Sequence, residues 1–169
     1  MPTQICFNCK HSITSKKHKD KCITIYMNTH RTLSFDEVYN NPLMTFGLGG
    51  CTAFICITDN NVTMGHYSPL MRHKIISILK KKMNSAKYIY IKMPQNWVKN
   101  KIGQWEHNDL GIYDFLNNIN CKIIKDVYDC SNHHRDDIFS YNSSIYLKVN
   151  NDNSKIINYT NSWGKWIIP

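Results

Sequence analysis

Apolar and polar positions divide the chain into short runs separated by turn-forming residues. Cys22-Ile23-Thr24-Ile25-Tyr26-Met27 alternates and is rich in β-branched residues, which predicts a strand. A polar connection follows through Asn40-Asn41-Pro42 to the turn Thr45-Phe46-Gly47-Leu48-Gly49-Gly50. Cys51 to Thr58 is then a continuous apolar and β-branched run, the pattern of a buried strand. Asp59-Asn60-Asn61 supplies turn residues, and Val62-Thr63-Met64-Gly65-His66-Tyr67 predicts the return strand of a hairpin. Ser68-Pro69 suits a helix start, with serine as N-cap and proline at the first helical position. Leu70, Met71, Ile75, Ile78 and Leu79 recur at helical spacing as far as Lys82, with basic residues opposite.

The second half repeats the alternation. Tyr88-Ile89-Tyr90-Ile91 predicts a strand ended by Pro94, and residues 95–108, with Trp97 and Trp105, read as irregular. Asp109 to Ile119 predicts a helix that turns Leu110, Ile112, Tyr113 and Leu116 inward. Cys121 to Tyr128 predicts a strand, followed by a polar loop over 129–137 with His133 and His134. Ser144–Val149 and Lys155–Tyr159 predict a hairpin across Asn150-Asn151-Asp152-Asn153. With no internal repeat and no linker, the pattern is that of one mixed α/β domain.

Composition narrows the class. The chain has 169 residues, 42% of them apolar and 12% aromatic, which suits a globular domain with its own core and not a disordered chain. No apolar run approaches the roughly 18 residues of a membrane span. No secretory signal is visible, so a cytoplasmic protein with reduced cysteines is expected, and the odd count of seven agrees. The net charge of +9 is concentrated in Lys16-Lys17-His18-Lys19-Asp20-Lys21 and Lys80-Lys81-Lys82. Such runs suit an acidic partner, whether nucleic acid, an acidic protein face or a membrane surface; they equally suit a solvated surface.

Residues 1–22 form a basic, cysteine-bearing arm ahead of a single catalytic domain over 23–169. Cys6-x2-Cys9 is the front half of a metal site. Cys6, Cys9, His18 and Cys22 together would give zinc three thiolates and an imidazole, and His11 is a further donor nearby. The same residues also read as a mobile arm with unligated thiols.

The candidate chemistry centres on Cys51. Glycines before it allow a sharp turn, and the backbone N–H groups of Gly49, Gly50 and Cys51 are candidate donors to an oxyanion. The predicted hairpin brings His66 beside Cys51, where an imidazole could draw the thiol into a thiolate–imidazolium pair and return a proton to a departing amine. Thr45 can reach back to orient the ring. The plainer reading is a tight turn in which Cys51 fills core space.

Met44-Thr45-Phe46-Gly47-Leu48-Gly49-Gly50-Cys51-Thr52-Ala53 resembles the catalytic segment of CheD-type chemoreceptor glutamine deamidases, and Gly65-His66 with Pro69 resembles their histidine segment. A similar Gly-Cys plus downstream His arrangement occurs in cytotoxic necrotizing factor-like deamidases. The resemblance implies an α+β single domain, a layered β-sheet core flanked by two main helices. It implies Cys51 as nucleophile, His66 as base and acid, and Thr45 as the ring-orienting residue, with no cofactor required. The substrate would be a protein bearing an exposed glutamine. Gly50 stands where the family has serine, and the arm at 1–22 and the tail at 160–169 have no counterpart, so the resemblance carries the reaction and leaves the target open.

Two other readings stand beside it. Gly50-Cys51-Thr52-Ala53-Phe54 with Asn161-Ser162-Trp163-Gly164 echoes papain-like proteases, but the upstream cysteine and following tryptophan of that signature are missing, and too few residues follow Cys51 to hold its histidine about 130 positions on. The basic runs and aromatics also suit a non-enzymatic nucleic-acid- or protein-binding module. Cys56, Cys121 and Cys130 are expected to be structural.

Overall fold

A computed structural model describes residues 9–12, 14–94, 97–99, 102, 105–107, 111–128, 144–159 and 164–169. The chain order is α1 (Lys16–Lys19), β1 (Ile23–Thr24), β2 (Thr29–Ser34), α2 (Phe35–Asn40), β3 (Leu43–Thr45), β4 (Thr52–Ile57), β5 (Asn61–Tyr67), α3 (His73–Lys82), β6 (Tyr88–Pro94), β7 (Trp97–Lys99), β8 (Trp105–His107), α4 (Ile112–Asn117), β9 (Lys122–Tyr128), β10 (Ile145–Val149), β11 (Lys155–Tyr159) and β12 (Gly164–Ile168).

The apolar run 51–58 and its turn form the expected hairpin, β4 antiparallel to β5, with Ile57 opposite Val62 and Ala53 opposite His66. They sit in a five-stranded sheet of order β2-β5-β4-β6-β9. β6 runs antiparallel to β4 and parallel to β9, so α3 and α4 serve as the crossovers that parallel strands require. A second sheet has the order β1-β3-β10-β11-β12.

Period-two alternation sends the first sheet's side chains to two cores. Ala53, Ile55, Ile57, Val62, Met64 and Tyr90 face the second sheet and pack with its Leu43, Ile145, Leu147 and Ile157. Phe54, Cys56, Ile89, Ile91 and Met93 face the other way, against Ile75 and Leu79 of α3 and Ile112 and Leu116 of α4. The protein is therefore mixed α+β, with layered sheets that do not close into a barrel, as expected. Among the described residues, no helix is long and apolar enough to cross a membrane.

Several elements depart from the expected pattern. The stretch 22–27 contributes only the two-residue β1. The polar connection after it contains β2, whose sole buried residue is Leu33, and α2, closed by a capping box between Ser34 and Glu37. Pro69–Met71 is a 3-10 turn ahead of α3, and the change of helical phase leaves Leu70 88% exposed instead of inward. The chain's last strand, β12, extends the expected β10–β11 hairpin to a third strand. Gly65 is a steric requirement: a Cβ there would lie 2.8 Å from Phe54 Cζ, because the Phe54 ring packs over its cross-strand partner.

Candidate active site

The segment that holds the candidate nucleophile is a tight turn from Leu48 to Cys51, closed by a hydrogen bond from Cys51 N–H to Leu48 O. Gly50 has φ 101, a conformation that side-chain-bearing residues rarely adopt, which explains glycine where the resembling family has serine. One side chain clamps this turn. The Tyr128 hydroxyl accepts from Gly50 N–H at 2.9 Å, and its single hydrogen is shared between Leu48 O at 2.6 Å and Cys51 O at 2.7 Å. Tyr128 is buried at the end of β9 and was missed by sequence reasoning, since its partners lie far upstream in the chain and no local pattern marks them.

The clamp changes the expected oxyanion donors. Gly50 N–H and Cys51 N–H are both engaged, leaving Gly49 N–H as the one of the three with no partner among the described residues. A second missed residue supplies charge. Arg72, buried just before α3, donates from Nη2 to Gly50 O at 3.4 Å and places its guanidinium beside the turn.

The structure brings Thr45 and His66 together. Thr45 Oγ1 is 2.8 Å from Ile25 O and 2.8 Å from His66 Nδ1, and Thr45 is fully buried. A hydroxyl has one hydrogen, and Ile25 O can only accept. Thr45 must therefore donate to Ile25 O and accept from His66, which puts the ring proton on Nδ1. Nε2 is left with its lone pair, buried and, among the described residues, without a hydrogen-bond partner. That is the state required of a general base.

Cys51 is not hydrogen-bonded to this base. Its Sγ lies 3.8 Å from Met27 Sδ, and Met27 is itself 55% exposed, so it covers the thiol from the solvent side. Asn28, at φ 63, holds that cover in place: its N–H donates to His66 O at 2.6 Å and its Oδ1 accepts from Ser68 N–H at 2.9 Å.

Burial also changes the protonation expected of the pair. Loss of solvent pushes the Cys51 thiol pKa up, against the opposing pull of the Arg72 guanidinium. The same cause lowers His66 to about 4. The resting pair is thus thiol and neutral imidazole, in place of the expected thiolate–imidazolium, because a dry pocket disfavours both charges.

The sheet continues the site sideways. His66, Ala53, Lys92 and Asp126 stand in one cross-strand row over β5, β4, β6 and β9. Lys92 is fully buried, with Nζ 3.9 Å from Asp126 Oδ2 and 5.7 Å from the centre of the Tyr128 ring. Burial lowers its pKa to about 8, partly offset by Asp126. Tyr90 donates to the same carboxylate at 2.5 Å.

Of the expected metal ligands, Cys9, His18 and Cys22 are brought together, their donor atoms all within 4.8 Å of one another. Cys6 lies outside the described residues, as do Cys130, His133, His134 and Asn161-Ser162-Trp163. Far from projecting, His18 and Cys22 are buried, Cys22 against Met44 with Cys9 and Phe46 alongside. Lys16, Lys17, Lys19, Lys21, Lys80 and Lys81 stand exposed on the surface. Cys56 is buried, its thiol pushed up to about 11, as suits a structural role.

No protein-family model matches the chain, and no curated protein matches it at a significant level.

Proposed function

We propose that the protein is a cysteine-dependent protein-glutamine deamidase of the CheD and necrotizing-factor type. The observation that carries the reading is the Ile25–Thr45–His66 chain of hydrogen bonds, which leaves a buried, unprotonated Nε2 as base. In the proposed reaction a glutamine carboxamide displaces Met27 from the mouth of the site. Cys51 Sγ attacks the carboxamide carbon while its proton passes to His66 Nε2. Gly49 N–H and the positive field of Arg72 stabilise the oxyanion. The imidazolium then protonates the leaving nitrogen, ammonia departs, and water hydrolyses the thioester to glutamate with His66 again as base. An amine in place of water would give transamidation from the same acyl-enzyme.

A neutral pair at rest is consistent with this sequence, because proton transfer accompanies attack and does not precede it. The chemistry needs no cofactor, and the Cys9–His18–Cys22 cluster is read as a structural metal site apart from it.

The test is ammonia release and glutamine-to-glutamate conversion, read by peptide mass, on a panel of glutamine-bearing proteins. Wild type is expected to convert at least one of them and Cys51→Ser none. Equal release by Cys51→Ser, or no release by wild type from any protein in the panel, would overturn the proposal.

A further inference from the structure

We infer that Cys9, His18 and Cys22 form a structural zinc site that fastens the N-terminal segment to the edge of the second sheet. His18 Nδ1 lies 3.2 Å from Cys9 Sγ, and the Cys22 thiol completes a three-donor face no wider than 4.8 Å. Zinc–sulfur bonds of about 2.3 Å and zinc–nitrogen bonds of about 2.0 Å fit three such donors with small adjustments.

The imidazole is prepared for this role. It is wholly buried, and its other nitrogen, Nε2, is 2.6 Å from Thr24 Oγ1. Metal-bound histidines commonly have the distal nitrogen tied in this way, which fixes the ring and turns the second nitrogen to the ion. Local structure sets the spacing. Ser15 caps α1 by accepting from His18 N–H at 3.1 Å, and Cys22 N–H donates to His18 O at 2.9 Å, so the His18 and Cys22 side chains leave one turn of chain.

Two thiolates and an imidazole suit zinc and not calcium or magnesium, which prefer oxygen donors. On binding, the thiols release their protons to water and the ion takes their place. Beside the cluster lies an open hollow of about 460 Å³ lined in part by Cys9, His11, Cys22 and Tyr146. His11 Nδ1, beside it, is buried without a hydrogen-bond partner among the described residues.

The ion would hold more than the arm. Cys22 leads directly into β1, and Ile25, just beyond, accepts the Thr45 hydrogen bond that orients His66.

The full chain, purified without chelator, is to be assayed for zinc per chain, then reconstituted with Co²⁺. One ion per chain and a thiolate-to-cobalt charge-transfer band are expected. The band's intensity should correspond to two thiolates. Chelation should lower the melting temperature and open Cys9 and Cys22 to alkylation. Cys22→Ser and His18→Ala should lose the ion while Cys121→Ser keeps it. Absence of bound zinc, a cobalt spectrum without a thiolate band, or full binding by Cys22→Ser and His18→Ala would overturn the site. If those variants fail to fold, the wild-type cobalt spectrum and chelation response still decide it. None of these readouts depends on deamidation, so either proposal can fail alone.

Discussion

Replacing Thr45 by valine isolates the hydroxyl on which the base assignment rests. Valine keeps the β-branched shape required in β3 and removes only the bridge between Ile25 O and His66 Nδ1. Both stranded groups are buried, and each unpaired buried polar group costs about 1–3 kcal/mol. Thr45→Val should therefore lose roughly 2–6 kcal/mol in urea unfolding at neutral pH. That is a large part of the roughly 5–15 kcal/mol typical of a domain. Thr45→Ser keeps the hydroxyl and should lose only about 1 kcal/mol for the missing methyl. Nitrogen-15 spectra of the histidines add a reading that stability cannot give. Wild type and Thr45→Ser should show His66 protonated on Nδ1, and Thr45→Val should lose that bias. Deamidation should fall by about ten- to a hundredfold, less than the full contribution of a placed acid–base group. A valine variant within about 0.5 kcal/mol of wild type, with the same tautomer, would refute the hydrogen-bond assignment. A serine variant as damaged as the valine one would refute it equally.

Two further outcomes follow from the buried pair. Folded His66 resists protonation down to about pH 4, whereas the unfolded chain takes up its proton near 6.5, so unfolding binds a proton between those values. Stability from this residue is complete above about pH 6.5 and falls by about 3 kcal/mol as the pH drops to 4; urea midpoints across that range should converge in His66→Gln, and a slope unchanged by the substitution would contradict the assignment. Met27 covers Cys51, so Met27→Ala should speed iodoacetamide labelling of Cys51 severalfold, with a rate that rises with pH as a raised thiol pKa requires, while buried Cys56 stays slow in both proteins; an unchanged Cys51 rate would show that the thiol is reached by another route.

The parts of the fold legible in the sequence are those whose pattern is local. The β4–β5 hairpin follows from a continuous apolar run and a polar turn, whereas the Thr45–His66 contact crosses from β3 of the second sheet to β5 of the first, and the resemblance, not a local pattern, points to it. β2 was not legible, because an edge strand with one buried residue carries no alternation; its stability comes from pairing with β5, including a hydroxyl contact of 2.7 Å between Thr32 and Thr63. In the sequence α2 reads as part of a polar connection, because with Val38 its only buried residue the helix has almost no apolar stripe. Lys92 carries no local sign of its burial; its partner Asp126 comes from β9, and only the parallel pairing reveals it. The protonation of the Cys51–His66 pair was misjudged for a similar reason, since desolvation depends on the second sheet and cannot be read from the spacing of two residues.

The reach of Tyr128 sets an order of events during synthesis. The turn that holds Cys51 is clamped by a hydroxyl from the end of β9, and among the described residues β9 pairs only with β6, after the α4 crossover is complete. Contacts between such distant positions form late, because the intervening chain must first be ordered. A nascent chain that has exposed the cysteine but not yet its downstream tyrosine carries an untethered thiol and no finished site. The clamped turn is thereby deferred until nearly the whole first sheet exists, and a fragment ending before residue 128 should lack it even where its hairpin has formed.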